Sequence, residues 1–168
     1  MLIAGAIGAG SLIAGISASG LAAAAPTPAA TDDATPPFAV ENFDYPNAAK
    51  IFQEQGIALR KGDGRILLVD CKVSRQIQVL TSVNHPGQSE PGVYCFKVAG
   101  TGKTGYLELQ VPSVYSIMTG DVAVRAKLRV DGKDQEPVVL SKNDAVGVGV
   151  GAPVPGPATT LVELRVTG

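Results

Sequence analysis

Alternation of apolar and polar side chains dominates the second half of the chain. Over residues 122–130, Val122, Val124, Ala126, Leu128 and Val130 fall on one side of an extended strand, and Arg125, Lys127 and Arg129 fall on the other. Leu107, Leu109 and Val111 share a face opposite Glu108 and Gln110, and Val162, Leu164 and Val166 alternate with Glu163 and Arg165. Shorter alternating stretches are Gln76-Ile77-Gln78-Val79 and Tyr94-Cys95-Phe96-Lys97-Val98. Lys61-Gly62-Asp63-Gly64 separates the apolar residues 57–59 from Ile66-Leu67-Leu68-Val69, and its Asp-Gly step predicts a tight hairpin there. Asp131-Gly132 turns the chain back toward Val138-Val139-Leu140. Helical signals occur in one place only. Pro46 suits a first turn, residues 48–54 suit a helix body and Gly56 a C-terminal stop, with Ile51 and Phe52 expected to face the core. Short strands with one apolar and one charged face predict an all-β domain over residues 43–168, an antiparallel β-sandwich or barrel with one short N-terminal helix. The repeated helices of a parallel α/β fold are missing from the pattern.

The N-terminal stretch follows a different rule. Residues 1–25 read MLIAGAIGAGSLIAGISASGLAAAA, and the first charged side chain is Asp32. Ala22-Ala23-Ala24 satisfies the A-x-A rule, so residues 1–24 are expected to be a signal peptide, although a basic n-region is missing. A membrane anchor is the rival reading, because the run is long enough to span. Its many Gly and Ala residues and its lack of a basic flank favour cleavage and secretion, with no membrane association afterwards. Residues 25–42 read APTPAATDDATPPFAVEN, a composition too poor in large apolar residues to offset its ordering entropy. A disordered, extended N-terminal arm is expected. At its end Phe38 and Val40, and then Phe43 and Tyr45, are spaced to lie on one side of an extended segment. Such residues either cover an exposed edge of their own domain or dock on a partner by strand addition or in a groove.

Charge and reactive side chains narrow the function. With 14 Lys+Arg against 15 Asp+Glu, the chain lacks the basic footprint of a nucleic-acid binder. In an oxidising compartment Cys71 and Cys95 are expected to form a disulfide. No C-x-x-C occurs and His85 is the only histidine, so neither metal nor cofactor is expected. Gly100-Thr101-Gly102-Lys103-Thr104-Gly105 looks like a phosphate loop, but Lys97 stands where that motif requires its first glycine. Alternating stretches on both sides make it a hairpin loop. Gly147, Gly149 and Gly151 alternate with Val148 and Val150, but Pro153, Pro155 and Pro157 follow where a dinucleotide site needs a helix. A weak strand running into a rigid loop is expected there. His85 has neither a nucleophile elbow nor an acidic cluster near it in sequence, and Asp63 and Asp131 are turn residues. No residue is assigned a catalytic role, and the chain is not expected to be an enzyme.

Tyr45-Pro46, Ala48-Ala49, Glu54-Gln55-Gly56-Ile57, Lys61-Gly62-Asp63-Gly64-Arg65-Ile66, Asp70-Cys71, Cys95-Phe96, Gly105-Tyr106-Leu107 and Val111-Pro112-Ser113-Val114-Tyr115 together form a recognisable set. The set resembles small secreted proteins of high-GC Gram-positive bacteria, among them the UmbB-type adaptor subunits of umbrella toxin particles. The resemblance covers most of the chain beyond the expected signal. In those particles the adaptor joins a lectin subunit to the stalk of a large toxin. The resemblance therefore implies two partners, a secreted lectin-like subunit of trypsin-like fold and a large repeat-containing toxin protein. It also implies that an N-terminal segment docks in a cleft of the lectin. The spaced apolar residues Phe38, Val40, Phe43 and Tyr45 are the expected partner-binding anchors, because buried aromatic side chains commonly dominate interface energy. The arm is more Pro-rich than this pattern, and the region after Ala152 is unusually rich in Pro and Gly. The alternative role is a secreted inhibitor of an extracellular hydrolase, with an exposed loop as bait.

Overall fold

The computed structural model describes residues 43–101 and 103–168. The expected signal and arm, with Phe38 and Val40, lie outside the described residues. The elements are β1 (Phe43–Asp44), α1 (Ala48–Gln55), β2 (Ala58–Gly62), β3 (Ile66–Val69), β4 (Ile77–Thr81), β5 (Val93–Val98), β6 (Gly105–Thr119), β7 (Val124–Val130), β8 (Lys133–Asp134), β9 (Val138–Leu140), β10 (Ala145–Gly147) and β11 (Thr159–Val166). A single 3-10 turn covers Gly149–Gly151. The fold is mainly β and antiparallel throughout its strand pairs, as the alternation predicts.

β6 is the spine. Its first half pairs with β2 and β11, and its second half with β4 and β10. The change of partners falls at Pro112-Ser113, where Ser113 has φ 52 and the registers of both β4 and β11 slip. A proline inside a strand is tolerated at such a bulge because the ladder is already interrupted. Thr81 Oγ1 donates to the Pro112 carbonyl at 2.6 Å and holds the bend. The strand order is β3-β5-β4-β6-β11-β7-β8. The two halves meet face to face in a sandwich-like core. At Gly105 they approach closely: a Cβ there would stand 2.9 Å from Ile66 Cγ1 across the sandwich. Phe96, Ile57, Ile77, Leu107, Leu109 and Leu164 are among the fully buried side chains of the single core cluster.

Cys71 and Cys95 form a disulfide, with Cα atoms 5.1 Å apart. It ties the chain just beyond β3 to the middle of β5, which also pairs with β4 on its other side. Of the expected inward face, Val124, Ala126 and Leu128 in β7 and Val122 just before it are buried, while Val130 at the strand's end is only half-buried.

Five local expectations are corrected. The Asp63-Gly64 turn forms, with Gly64 at φ 74, but β2 and β3 do not pair across it. β2 joins β1 and β6, whereas β3 joins β5, so the turn carries the chain from one half of the sandwich to the other. The loop around Gly100–Gly105 is likewise no hairpin, because β4 lies between β5 and β6. In α1, Ile51 packs on the core while Phe52 is 58% exposed. Adjacent helical residues point about 100° apart, so one short helix cannot turn both inward. Pro46 precedes the helix, which begins at Ala48 after Asn47 in the left-handed region at φ 57. In β11 the buried side chains are Leu161, Leu164 and Val166, with Val162 only half-buried. A bulge between Leu161 and Glu163 adds a residue and breaks the alternation there.

Candidate docking site

Phe43 and Tyr45 mark the place where residues 25–42 enter the domain. β1 lies on the outside of β2, with Phe43 opposite Gly62 and Asp44 opposite Lys61, and the Tyr45 N–H donates to the Arg60 carbonyl at 2.6 Å. The chain then crosses to β3, whose Leu68 N–H donates to Tyr45 Oη at 2.7 Å. β3 is an edge strand, and this contact occupies a backbone donor on its open side. Burial pushes the Tyr45 hydroxyl above its ordinary pKa, against the lowering effect of that hydrogen bond. Tyr45 is thus committed to its own domain. Phe43 is 61% exposed. Between them lies an apolar cavity of about 170 Å³, also lined by Gly62, Ile66, Leu67 and Leu107. The structure therefore brings two of the four expected anchors to one hollow, and they differ in role.

A second hollow of about 460 Å³ continues along the same edge, between Ile51 and Gln55 of α1 and Leu68, Val69 and Asp70 at the end of β3. Its wall is well fixed. Tyr94 Oη donates to the Gln55 carbonyl, Gly56 ends α1 at φ 71, and His85 packs beneath Gly56. Gln88 Oε1 accepts from the N–H groups of His85 and Gly92, each at 2.9 Å. His85 thus serves the packing of the helix end. That role has no local sequence signal, because it depends on contacts distant along the chain.

The outer face of β2, β6, β11 and β7 is polar and forms a basin of about 350 Å³ lined by Arg60, Glu108, Gln110, Lys127, Arg129 and Glu163. Most of these charges are matched at home. Asp134 meets Lys127 and Arg129, each at 2.8 Å, and their hydrogen bonds lower its pKa. Arg165 pairs with Glu163 at 2.6 Å and stacks 4.2 Å from the Tyr106 ring centroid. Tyr106 Oη donates to Glu108 at 2.6 Å. Desolvation first, then that hydrogen bond and the charges of Glu108 and Glu163, push the Tyr106 pKa up to about 12. Exposed pairs of this kind add little stability individually.

Among the described residues no group of three or more His, Cys, Asp or Glu side chains is placed to hold a metal ion. None of their helices is long and apolar enough to cross a membrane. The phosphate-loop look-alike leads into β6, and Arg65 Nη1 donates to Thr104 Oγ1 beside it. The Gly-Val segment forms β10 and the 3-10 turn, then presents Val154 at 84% exposure beside an apolar groove of about 330 Å³. Residues 145–162 carry no charged side chain, which is the sequence signal for this exposed surface. No protein-family model matches the chain, and no curated protein matches it either.

Proposed function

We propose that the chain is a secreted, non-enzymatic adaptor that links a lectin-like subunit to the stalk of a large toxin in an antibacterial particle. The observation that supports this reading is the exposed Phe43 ring beside an apolar hollow, where residues 25–42 join the domain. An aromatic side chain next to a concave apolar surface is suited to the core of an interface. The disulfide suits an oxidising, extracellular setting. In this reading Phe38 and Val40 enter the lectin-like cleft, and Phe43 extends that contact onto the domain. The test is purification of the tagged protein from culture medium of its producing cell. The adaptor role requires a lectin-like protein and a large repeat-containing protein in the same particle. Recovery of the monomer alone would count against it.

A second reading, inhibition of an extracellular hydrolase, draws support from the loop after β10. Val154 stands between Pro153 and Pro155, and Gly149 accepts from the N–H groups of Ala152 and Gly156 at 3.2 and 2.9 Å. A pre-organised loop with an exposed apolar side chain is a form that bait loops use. Titration against secreted proteases would then give stoichiometric loss of activity.

A further inference from the structure

We propose that residues 38–42 dock on the chain's own domain, continuing β1 toward the open edge of β3 and seating the Phe38 ring in the cavity beside Phe43. The reach is short and fixes where the segment can go. Phe38 precedes Phe43 by five residues, so in an extended chain it lies within about 17 Å of it. The Phe43–Gly62 pairing sets the segment's starting point at the mouth of that cavity, whose lining runs from Gly62 through Gly64 to Ile66 and Leu67, all within this reach. The cavity is of the right size and character. It measures about 170 Å³ and its walls include Ile66, Leu67 and Leu107, whereas a cavity of about 150 Å³ accommodates a benzene ring.

Charge points the same way. Residues 25–42 carry Asp32, Asp33 and Glu41 and no basic side chain. The edge they would follow exposes Lys61 and Arg65, which flank the entry alongside Asp44 and the half-buried Asp63. Among the described residues β3 pairs only with β5, so its other side can accept a further strand, and Tyr45 already meets Leu68 there. The seated ring would cover the exposed face of Phe43, and the aromatic pair would close the gap between β1 and β3. A partner that binds Phe38 must then displace it from this seat. The seat belongs to the free chain, so its test is independent of any partner.

The test uses the full chain as delivered by an expressing cell, with labelled methyl groups and a labelled Phe38 ring. Nuclear Overhauser contacts from the Phe38 ring to methyls of Ile66, Leu67 and Leu107 are expected. In Phe38→Ala those methyls should lose their ring-current displacement, while core methyls of Leu161 and Leu164 stay unchanged. Val40→Asp should weaken the same contacts. Absence of the contacts, or methyl shifts indifferent to Phe38→Ala, would overturn the proposal. So would contacts seen only between differently labelled copies and growing with concentration, because the occupant would then be a second chain.

Discussion

Opening the Cys71–Cys95 loop gives a sharp test of the fold's energetics. The bond spans a sequence separation of 24 residues and encloses β4. Releasing a loop of that length restores chain entropy to the unfolded state equivalent to about 3.5 kcal/mol near room temperature. For a domain of this size the corresponding fall in Tm is roughly 10–15 °C. Cys71→Ala and Cys95→Ala each open the same loop, so their losses should be similar in size. Cys95, with no exposed surface, should lose slightly more through its packing. The double variant should be little worse than either single one. The loop term is lost only once, so the two changes fall short of additivity by about 3.5 kcal/mol. Urea unfolding followed by circular dichroism reads both stability and m. The m value should rise on opening the loop, since the uncrosslinked denatured chain exposes more surface. Single variants within about 0.5 kcal/mol of the wild type, a size typical of neutral surface changes, would refute this reasoning. A double variant that lost the sum of the two would refute it equally.

Other consequences are as specific. A Cβ on Gly151 would overlap the Tyr115 carbonyl oxygen, so Gly151→Ala should cost about 1–3 kcal/mol in thermal melts. Gly156→Ala, whose nearest obstacle is the Gly149 carbonyl oxygen at 3.9 Å, should be tolerated. Tyr45→Phe leaves the Leu68 N–H without its acceptor and should cost about 1 kcal/mol, whereas Phe43→Ala should shift stability by less than about 0.5 kcal/mol. At alkaline pH the folded chain holds the Tyr106 proton up to about 12, while the unfolded chain releases it near 10.0. The folded state binds more protons in that window, so stability falls as pH rises through it. Tyr45 and Tyr94 shift in the same direction. Alkaline titration of urea midpoints should therefore show a shallower fall for Tyr106→Phe than for the wild type.

What the sequence made legible was whatever depends on neighbours along the chain. The faces of β7 could be read directly, because Val124, Ala126 and Leu128 meet one core with no break in the ladder. β11 could be read only in part, since the bulge at Leu161 has no distinctive residue and shifts the inward side chain off Val162. The turn at Asp63-Gly64 was visible in composition, but strand partners are long-range choices, and β2 and β3 chose different ones. The full length of β6 was hidden by Pro112, which normally argues against an interior strand. At the candidate site, spacing put Phe43 and Tyr45 together, but only the fold separates them. Tyr45 Oη finds the Leu68 N–H, and the Phe43 ring finds no such partner within the described residues.

The adaptor reading is tested most directly by the affinity of the full chain and of Phe38→Ala for the lectin-like protein recovered with it. A buried aromatic anchor at an interface contributes about 2 kcal/mol or more. A Kd at least roughly 30-fold weaker is therefore predicted for Phe38→Ala, with the domain still folded. Removing residues 25–42 should abolish binding and leave the domain folded. Equal affinity for all three chains would contradict the account.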